Sequence, residues 1–315
     1  MEFEKKLKNI ETKIEELKEF SKEKEIDLSI EIEKLEAEKE TVLKETYKNL
    51  SSWERVSVAR HPKRPYTLDY IEHIVEEFEE LHGDRLFKDD PAIVGGIGKI
   101  DGNRFVIIGH QKGRDMESNI YRNFGMANPE GYRKTLRLMK LAERFKLPVL
   151  TLIDTAGAYP GIDAEKHGQG EAIARNLMEM AGLSTQIIAI VIGEGGSGGA
   201  LALGVADKVF MLENSVYSVI SPEGCAAILY KDASRASQAA NDLKISANQL
   251  IELGVIDDII VEPVGGAHRD HEAIAKSLKA KVLEAYAEIK DLPILELKDL
   301  RYEKFRKMGE VNQEG

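Results

Sequence analysis

Apolar residues recur at helical spacing through the first fifty positions: Leu7, Ile10, Ile14 and Leu17 form one stripe, and Leu28, Ile32, Leu35, Val42 and Leu43 a second. The polar stretch from Ser21 to Asp27 separates them. The pattern predicts two amphipathic helices folded as a hairpin, with the stripe packed on the main body or on another subunit. The 15 acidic and 11 basic side chains of this segment would cover the outer faces.

From Ser51 to Pro65 the chain reads SSWERVSVARHPKRP, where two prolines and a basic cluster predict a connector without a continuous helix. An acidic helix is expected over about 69–81. Two strand-like stretches follow, AIVGGIGKI and RFVIIGH, and the turn signal Asp101-Gly102-Asn103 between them predicts a hairpin.

The next hundred residues alternate between the two periods. A helix opens with Asn128 as cap and Pro129 in its first turn and runs to Lys146, and VLTLI at 149–153 reads as a buried strand. Gln169–Ala181 is expected as helix, IIAIVI at 187–192 as strand, Gly199–Ala206 as helix and KVFML at 208–212 as strand. Such alternation implies a parallel sheet with crossover helices. Ser246 and Gln249 form a capping box, Gly254 ends that helix, VIDDIIVEP resembles a short closing strand, and a last helix spans about 270–290. Beyond Asp291 the sequence turns polar and is expected to fray, apart from whatever Tyr302 and Phe305 can dock. No internal repeat is visible.

Composition narrows the setting. With 315 residues, 43% hydrophobic and 31% charged, the chain can build one large α/β domain plus an appendage. A formal charge of −11 excludes general attraction to nucleic acid or to anionic membranes. The single Cys225 allows neither an intramolecular disulfide nor a cysteine-rich zinc site, so a reducing, cytoplasmic setting is expected. The N-terminal MEFEKKLKNIETK has no apolar core of a signal peptide, and IIAIVI is too short to span a bilayer, so neither export nor membrane anchoring is expected.

The chemistry concentrates in IIAIVIGEGGSGGALALG, where an apolar strand runs into Gly193, Gly195, Gly196, Gly198 and Gly199 and then into a small-residue helix. Glycine permits positive φ and lets another molecule approach the main-chain N–H groups. The start of a helix adds its positive end, so the turn can cradle a phosphate or hold an oxygen that becomes negative during reaction. A nucleoside-triphosphate loop needs Lys after its last glycine, whereas Ala200 and Leu201 follow Gly199 here. VLTLIDTAGAYPG ends a second strand in Asp154 and a loop with Gly157, Tyr159 and Gly161, and both loops should face one cleft at the carboxyl ends of the strands.

A serine nucleophile is the competing reading, because Gly195 to Gly199 fits GxSxG around Ser197, with His110, His167 or Asp154 as partners. The loop's extra glycines point instead to main-chain donors. His61, His110 and His167 show no metal-ligand spacing. Cys225 reads as a small buried thiol. Arg60, Lys63, Arg64, Lys112 and Arg114 could form a rim for an anionic ligand or a merely solvated face.

Longer motifs carry a resemblance: RHPKRPYTLDY at 60–70, GHQKGR at 109–114, NFGM at 123–126, PEGYRK at 129–134, DTAGAYPG at 154–161, the glycine loop, and SVISPEGC at 218–225. Over about residues 25–290, in order, the chain resembles the alpha subunits of bacterial acetyl-CoA carboxylase carboxyltransferase. The resemblance implies a crotonase-like (ClpP/crotonase) spiral α/β fold with an N-terminal helical hairpin. It divides the chain into a hairpin at 1–50, a CoA carboxyltransferase domain at 51–292 and a polar tail at 293–315. It also implies a partner beta subunit in an α2β2 complex, biotin on a biotin carboxyl carrier protein, biotin carboxylase upstream, and a coenzyme A thioester as substrate. No metal is expected in this chain.

The reaction so implied moves the carboxyl group of carboxybiotin to acetyl-CoA, giving malonyl-CoA for fatty acid synthesis. Carboxybiotin would release CO2, the biotin enolate would take a proton from acetyl-CoA, and the acetyl enolate would attack CO2. By similarity Gly198 and Gly199 form an oxyanion hole for the biotin carbonyl oxygen, with Gly195, Gly196, Gly157 and Tyr159 shaping the substrate site. The beta subunit would supply the other hole and most coenzyme A contacts. Asp154-Thr155-Ala156-Gly157 stands where the family often has Asp-Thr-Pro-Gly; proline only stiffens that turn. Alternatives are a serine hydrolase of the same fold superfamily, a propionyl-CoA-type carboxyltransferase, and a non-catalytic scaffold or nucleic-acid binder.

Overall fold

The computed structural model describes residues 1–309. Helices α1 (Lys5–Lys24) and α2 (Ser29–Lys48) form the expected hairpin. Their stripes face each other: Leu7, Ile10, Ile14 and Val42 are buried, with Ile32, Leu35 and Leu43 packed around them. The hairpin thus buries its apolar surface mainly on itself. Arg269 ties it to the body by donating to Glu11 at 2.8 Å and Glu4 at 3.2 Å.

The expected connector holds a helix, α3 (Ser52–Ala59), closed at its start by a Ser51–Glu54 capping box. Pro62 and Pro65 lie beyond its end, so they terminate the helix rather than prevent it. The expected acidic helix at 69–81 is also corrected. Helix α4 (Thr67–Ile74) stops at Val75, whose φ of −111° and ψ of 129° are extended, and β1 (Glu76–Glu80) follows. Pairing overrides propensity here: β1 adds antiparallel to the sheet, and Phe78 lies against Gly96 and Gly98, where glycine leaves room for its ring.

β2 (Ile93–Ile100) and β3 (Asn103–His110) form the anticipated hairpin in continuous register. After the short α5 (Met116–Tyr121) come α6 (Pro129–Phe145), β4 (Val149–Thr155), α7 (Ile162–Lys166) and α8 (Gln169–Gly182). β5 (Ile187–Gly196), α9 (Ser197–Gly204), β6 (Lys208–Leu212) and β7 (Val216–Ser218) follow. α10 (Pro222–Leu229), α11 (Ala236–Asp242), α12 (Ala247–Glu252), β8 (Asp258–Ile260), α13 (His271–Ile289) and α14 (Ile294–Lys307) complete the chain.

The sheet order is β1-β2-β3-β4-β5-β6-β8, antiparallel over the first three strands and parallel from β3 onward. β5 is long enough to serve two partners: residues 188–191 pair with β6, and residues 194–196 pair with β7. The last residues of β5 thus pair with β7 while Gly195 still pairs with Thr155 of β4. One apolar core fills the face covered by α6, α8 and α9, and a second fills the face covered by α4 and α13.

The expected polar tail at 293–315 is, in its described part, a docked helix. Leu297 is buried in α14, and Arg301, 1% exposed, donates to both carboxylate oxygens of Asp207 and to the carbonyls of Met180, Leu183 and Thr185. Phe305 packs on the core, whereas Tyr302 stays exposed. The anchor is a buried arginine, which an apolar-periodicity reading does not register. Among the described residues no helix is long and apolar enough to cross a membrane.

Candidate active site

The carboxyl ends of β4 and β5 lie side by side, with Thr155 opposite Gly195 in register. β5 then leaves the ladder and enters α9 through Ser197, the one residue of the turn with positive φ, 51°. The glycines are therefore not there for left-handed backbone. They are there for close approach, as the space around each shows. A Cβ on Gly196 would stand 2.2 Å from the Ala156 carbonyl oxygen, and one on Gly195 would stand 2.7 Å from the Tyr217 ring. A Cβ on Gly199 would meet the Ala158 nitrogen and the Gly157 carbonyl carbon at 2.7 Å and the Tyr132 hydroxyl at 3.0 Å. The two glycine-containing loops are pressed backbone to backbone into one wall.

That wall ends in free donors. The first N–H groups of an α-helix have no partner within the helix. Among the described residues neither the Gly198 nor the Gly199 N–H finds one elsewhere. Thr155 stiffens the facing loop, its hydroxyl donating to the Gly157 carbonyl at 2.7 Å and accepting from the Gly157 N–H at 3.1 Å, the role a proline there would serve sterically. Gln169 Nε2 holds the next stretch by donating to the carbonyls of Ala127 and Tyr159. The Tyr159 ring lies over Gly161, within its own loop. Gly157, Gly195, Gly196 and Gly199 are thus brought together, Gly198 stands at the helix start beside them, and Tyr159 contributes its backbone to the loop.

Charged side chains surround the wall, but not as the loose cationic rim that the sequence allowed. Lys112 Nζ lies 2.7 Å from Asp154 Oδ1 and 3.3 Å from Glu194 Oε2. Arg60 Nε lies 2.7 Å from Glu194 Oε1, and Arg60 also pairs with Glu223. Burial works against the Lys112 charge, yet the Asp154 and Glu194 carboxylates outweigh it and hold the ammonium above its usual range. Arg64 is fully buried in a pair with Glu262, Arg114 pairs with Asp69, and only Lys63 of the five makes no ion pair among the described residues.

A hydrolytic triad is not assembled. Ser197 is exposed, and no hydrogen bond joins its hydroxyl to a histidine or a carboxylate among the described residues. His110 is buried under the sheet end, where burial and then the Lys112 charge push its imidazole down to about 3. His167 sits 3.3 Å from Glu130, and His61 stacks on His268 with centroids 3.8 Å apart. Cys225 is a buried thiol packed with Ala226 and Ala239. No group of three or more His, Cys, Asp or Glu side chains arranged to hold a metal occurs among the described residues.

An apolar cavity of about 330 Å³ opens beside Ser197, lined by Leu201, Tyr217, Val219, Leu250, Phe305 and others. Sequence reasoning did not anticipate it. Its far wall comes from α14, and no local pattern connects Phe305 with Ser197.

Residues 1–309 match the family model described as acetyl co-enzyme A carboxylase carboxyltransferase-like. The acetyl-coenzyme A carboxylase carboxyl transferase subunit alpha of Fusobacterium nucleatum is 66% identical, covering 99% of this chain and 100% of that one. The subunit of the same name from Geobacillus kaustophilus is 58% identical, covering 99% and 96%. Among solved structures, the beta subunit of geranyl-CoA carboxylase from P. aeruginosa superposes with a TM-score of 0.56 at 20% identity, covering 78% of this chain and 46% of that one. That likeness is one of fold.

Proposed function

The chain belongs to the family of acetyl-CoA carboxylase carboxyltransferase alpha subunits, and from that premise we propose that the N–H groups of Gly198 and Gly199 form an oxyanion-holding half-site for carboxyl transfer. The single observation that carries this reading is the pair of unpartnered donors at the start of α9, of which Gly199 is held against the backbone of residues 157–158. Donors fixed before reaction need no reorganisation as charge develops, which is why such groups contribute strongly to catalysis.

The chain is a transferase component that moves a carboxyl group to acetyl-CoA, giving malonyl-CoA. Carboxybiotin, borne by a separate carrier protein, supplies that carboxyl group. The residues present suit its ring. Gly198 and Gly199, which follow Ser197, carry the donors a single carbonyl oxygen would need, and Ser197 itself also lines an apolar cavity. In this scheme Gly198 and Gly199 hold the oxygen as its charge grows. Gly195, Gly196 and Gly157 shape the wall, and Tyr159 sets the facing loop. An alpha subunit implies a beta partner; we take the assembly to be α2β2, with the acetyl-CoA side of the site supplied largely by the partner and the complex working in the cytoplasm. Residues 1–50 then form a hairpin appended to a carboxyltransferase domain beginning at 51.

One observation favours a second reading: the positive φ of Ser197, at a strand-to-helix turn, is the geometry of a nucleophile elbow. The two readings part on Ser197→Ala. In the complex with the beta subunit and carboxylated carrier, that variant should keep malonyl-CoA formation while Gly199→Val abolishes it. Loss of activity in Ser197→Ala with retention in Gly199→Val would put the hydroxyl, and not the main chain, at the centre of the chemistry.

A further inference from the structure

We propose that Lys112 and Asp154 are positioning residues for the transfer reaction, locking the end of β5 so that the Gly198 and Gly199 N–H groups converge on one point. This rests on the reading of the glycine turn given above.

The β4–β5 ladder pairs Ile153 with Val191 and then Thr155 with Gly195, so one residue of β4 stands against three of β5. Such an irregularity leaves main-chain groups on the longer side without ladder partners. Asp154, the intervening residue of β4, supplies one: its Oδ1 accepts from the Glu194 N–H at 2.9 Å. The same oxygen accepts from Lys112 Nζ at 2.7 Å, and Lys112 comes from the loop that follows β3. Three strand ends are therefore fastened at one atom, immediately before Gly195.

Gly193 reports how closely that atom is seated. A Cβ at Gly193 would stand 2.4 Å from Asp154 Oδ1 and 2.7 Å from its carboxyl carbon. The Gly193 backbone does not require positive φ, so what demands glycine there is the buried carboxylate. Asp154 is 1% exposed. A charge so placed is retained only where it is paired and hydrogen-bonded.

Electrostatics give the pair a second duty. A turn that holds a developing negative oxygen is opposed by nearby carboxylates, and Asp154 and Glu194 are two of them. Lys112 contacts both, and Arg60 contacts Glu194 from the other side and continues to Glu223 in the first turn of α10. The cations cancel the local field while the carboxylates keep the turn in place.

The test uses the complex of both subunits with carboxylated carrier, reading kcat, KM for acetyl-CoA, and amide hydrogen exchange over residues 193–199. Asp154→Ala should speed exchange in that segment and lower kcat by roughly 100-fold, the order expected for displacement of a catalytic group by about 1 Å, with KM nearly unchanged. Asp154→Asn retains an oxygen acceptor for the Glu194 N–H and should recover most of the loss. Lys112→Met should lower kcat and also speed exchange in that segment, though less than Asp154→Ala, because it unties the loop after β3 from the shared oxygen and leaves the carboxylates uncompensated. Should Asp154→Ala fail to fold, Asp154→Asn and Lys112→Met carry the comparison. Unchanged exchange in Asp154→Ala overturns the positioning role alone. Faster exchange with wild-type kcat overturns the catalytic reading of the glycine turn, and this inference with it.

Discussion

Gly199→Ala is the smallest perturbation that separates donor position from every other property of the site. The added methyl would sit 2.7 Å from two backbone atoms, the Ala158 nitrogen and the Gly157 carbonyl carbon. Restoring ordinary contact at about 3.5 Å requires roughly 0.8 Å of movement, and the backbone of a strand-end loop gives way less readily than a side chain. The Gly199 N–H moves with it. Loss of one oxyanion donor costs about 3–4 kcal/mol, so kcat should fall by roughly two to three powers of ten. Gly198→Ala is the matched control: its Cβ would meet only Ile173 side-chain carbons at 3.5 and 3.6 Å, ordinary contact distances. Alanine also suits a helix better than glycine. Its fold should be intact, with stability within about 0.5 kcal/mol of wild type, so any loss of stability in Gly199→Ala is assigned to its backbone clash. The assay is malonyl-CoA formation by the reconstituted complex, with thermal unfolding run on each variant. If Gly199→Ala keeps a kcat within a factor of three of wild type and unfolds normally, the argument from close packing to catalysis is wrong.

Two further predictions concern stability. Arg301→Ala should cost about 3–5 kcal/mol in urea unfolding, because it strands the buried Asp207 carboxylate and three carbonyls while releasing α14 from the body. The buried His110, held near 3 against an ordinary value of about 6.5, should make the fold sensitive to acid. Between those values the unfolded chain binds a proton that the native chain refuses. Stability therefore falls as pH drops through 6.5 toward 3, by up to about 1.4 kcal/mol per pH unit for that one proton. His268, pushed down to about 3 by burial and then by His61, adds in the same direction, so His110→Gln should remove part of the slope measured between pH 6.5 and 5 and not all of it.

The central βα alternation was legible because it is written in local pattern. Residues 149–153, 187–192 and 208–212 are apolar runs bounded by turn residues, and the Ser246–Gln249 capping box and Pro129 in the first turn of α6 act within four residues of the helix starts, although Asn128, the expected cap of α6, makes no side-chain cap bond. The glycine turn was legible for a related reason: crowding of glycines marks close approach whatever the partner. The failures share a cause as well. The sequence Glu76–Glu80 became a strand because an edge was open beside β2, and Arg301 anchored a polar helix because Asp207 lies ninety-four positions away. Lys112, Asp154 and Glu194 meet for the same reason, being neighbours only across strand ends. A reading by periodicity weighs each residue against its near neighbours, and none of these contacts is near in sequence.

The half-site claim is tested most directly by malonyl-CoA formation from acetyl-CoA and carboxylated biotin carrier, measured with this chain alone and with its cognate beta subunit. The chain alone should show no activity, the mixture should be active, and that activity should be lost when the mixture carries Gly199→Val. Turnover by the chain alone, or undiminished turnover by the Gly199→Val mixture, would contradict the claim.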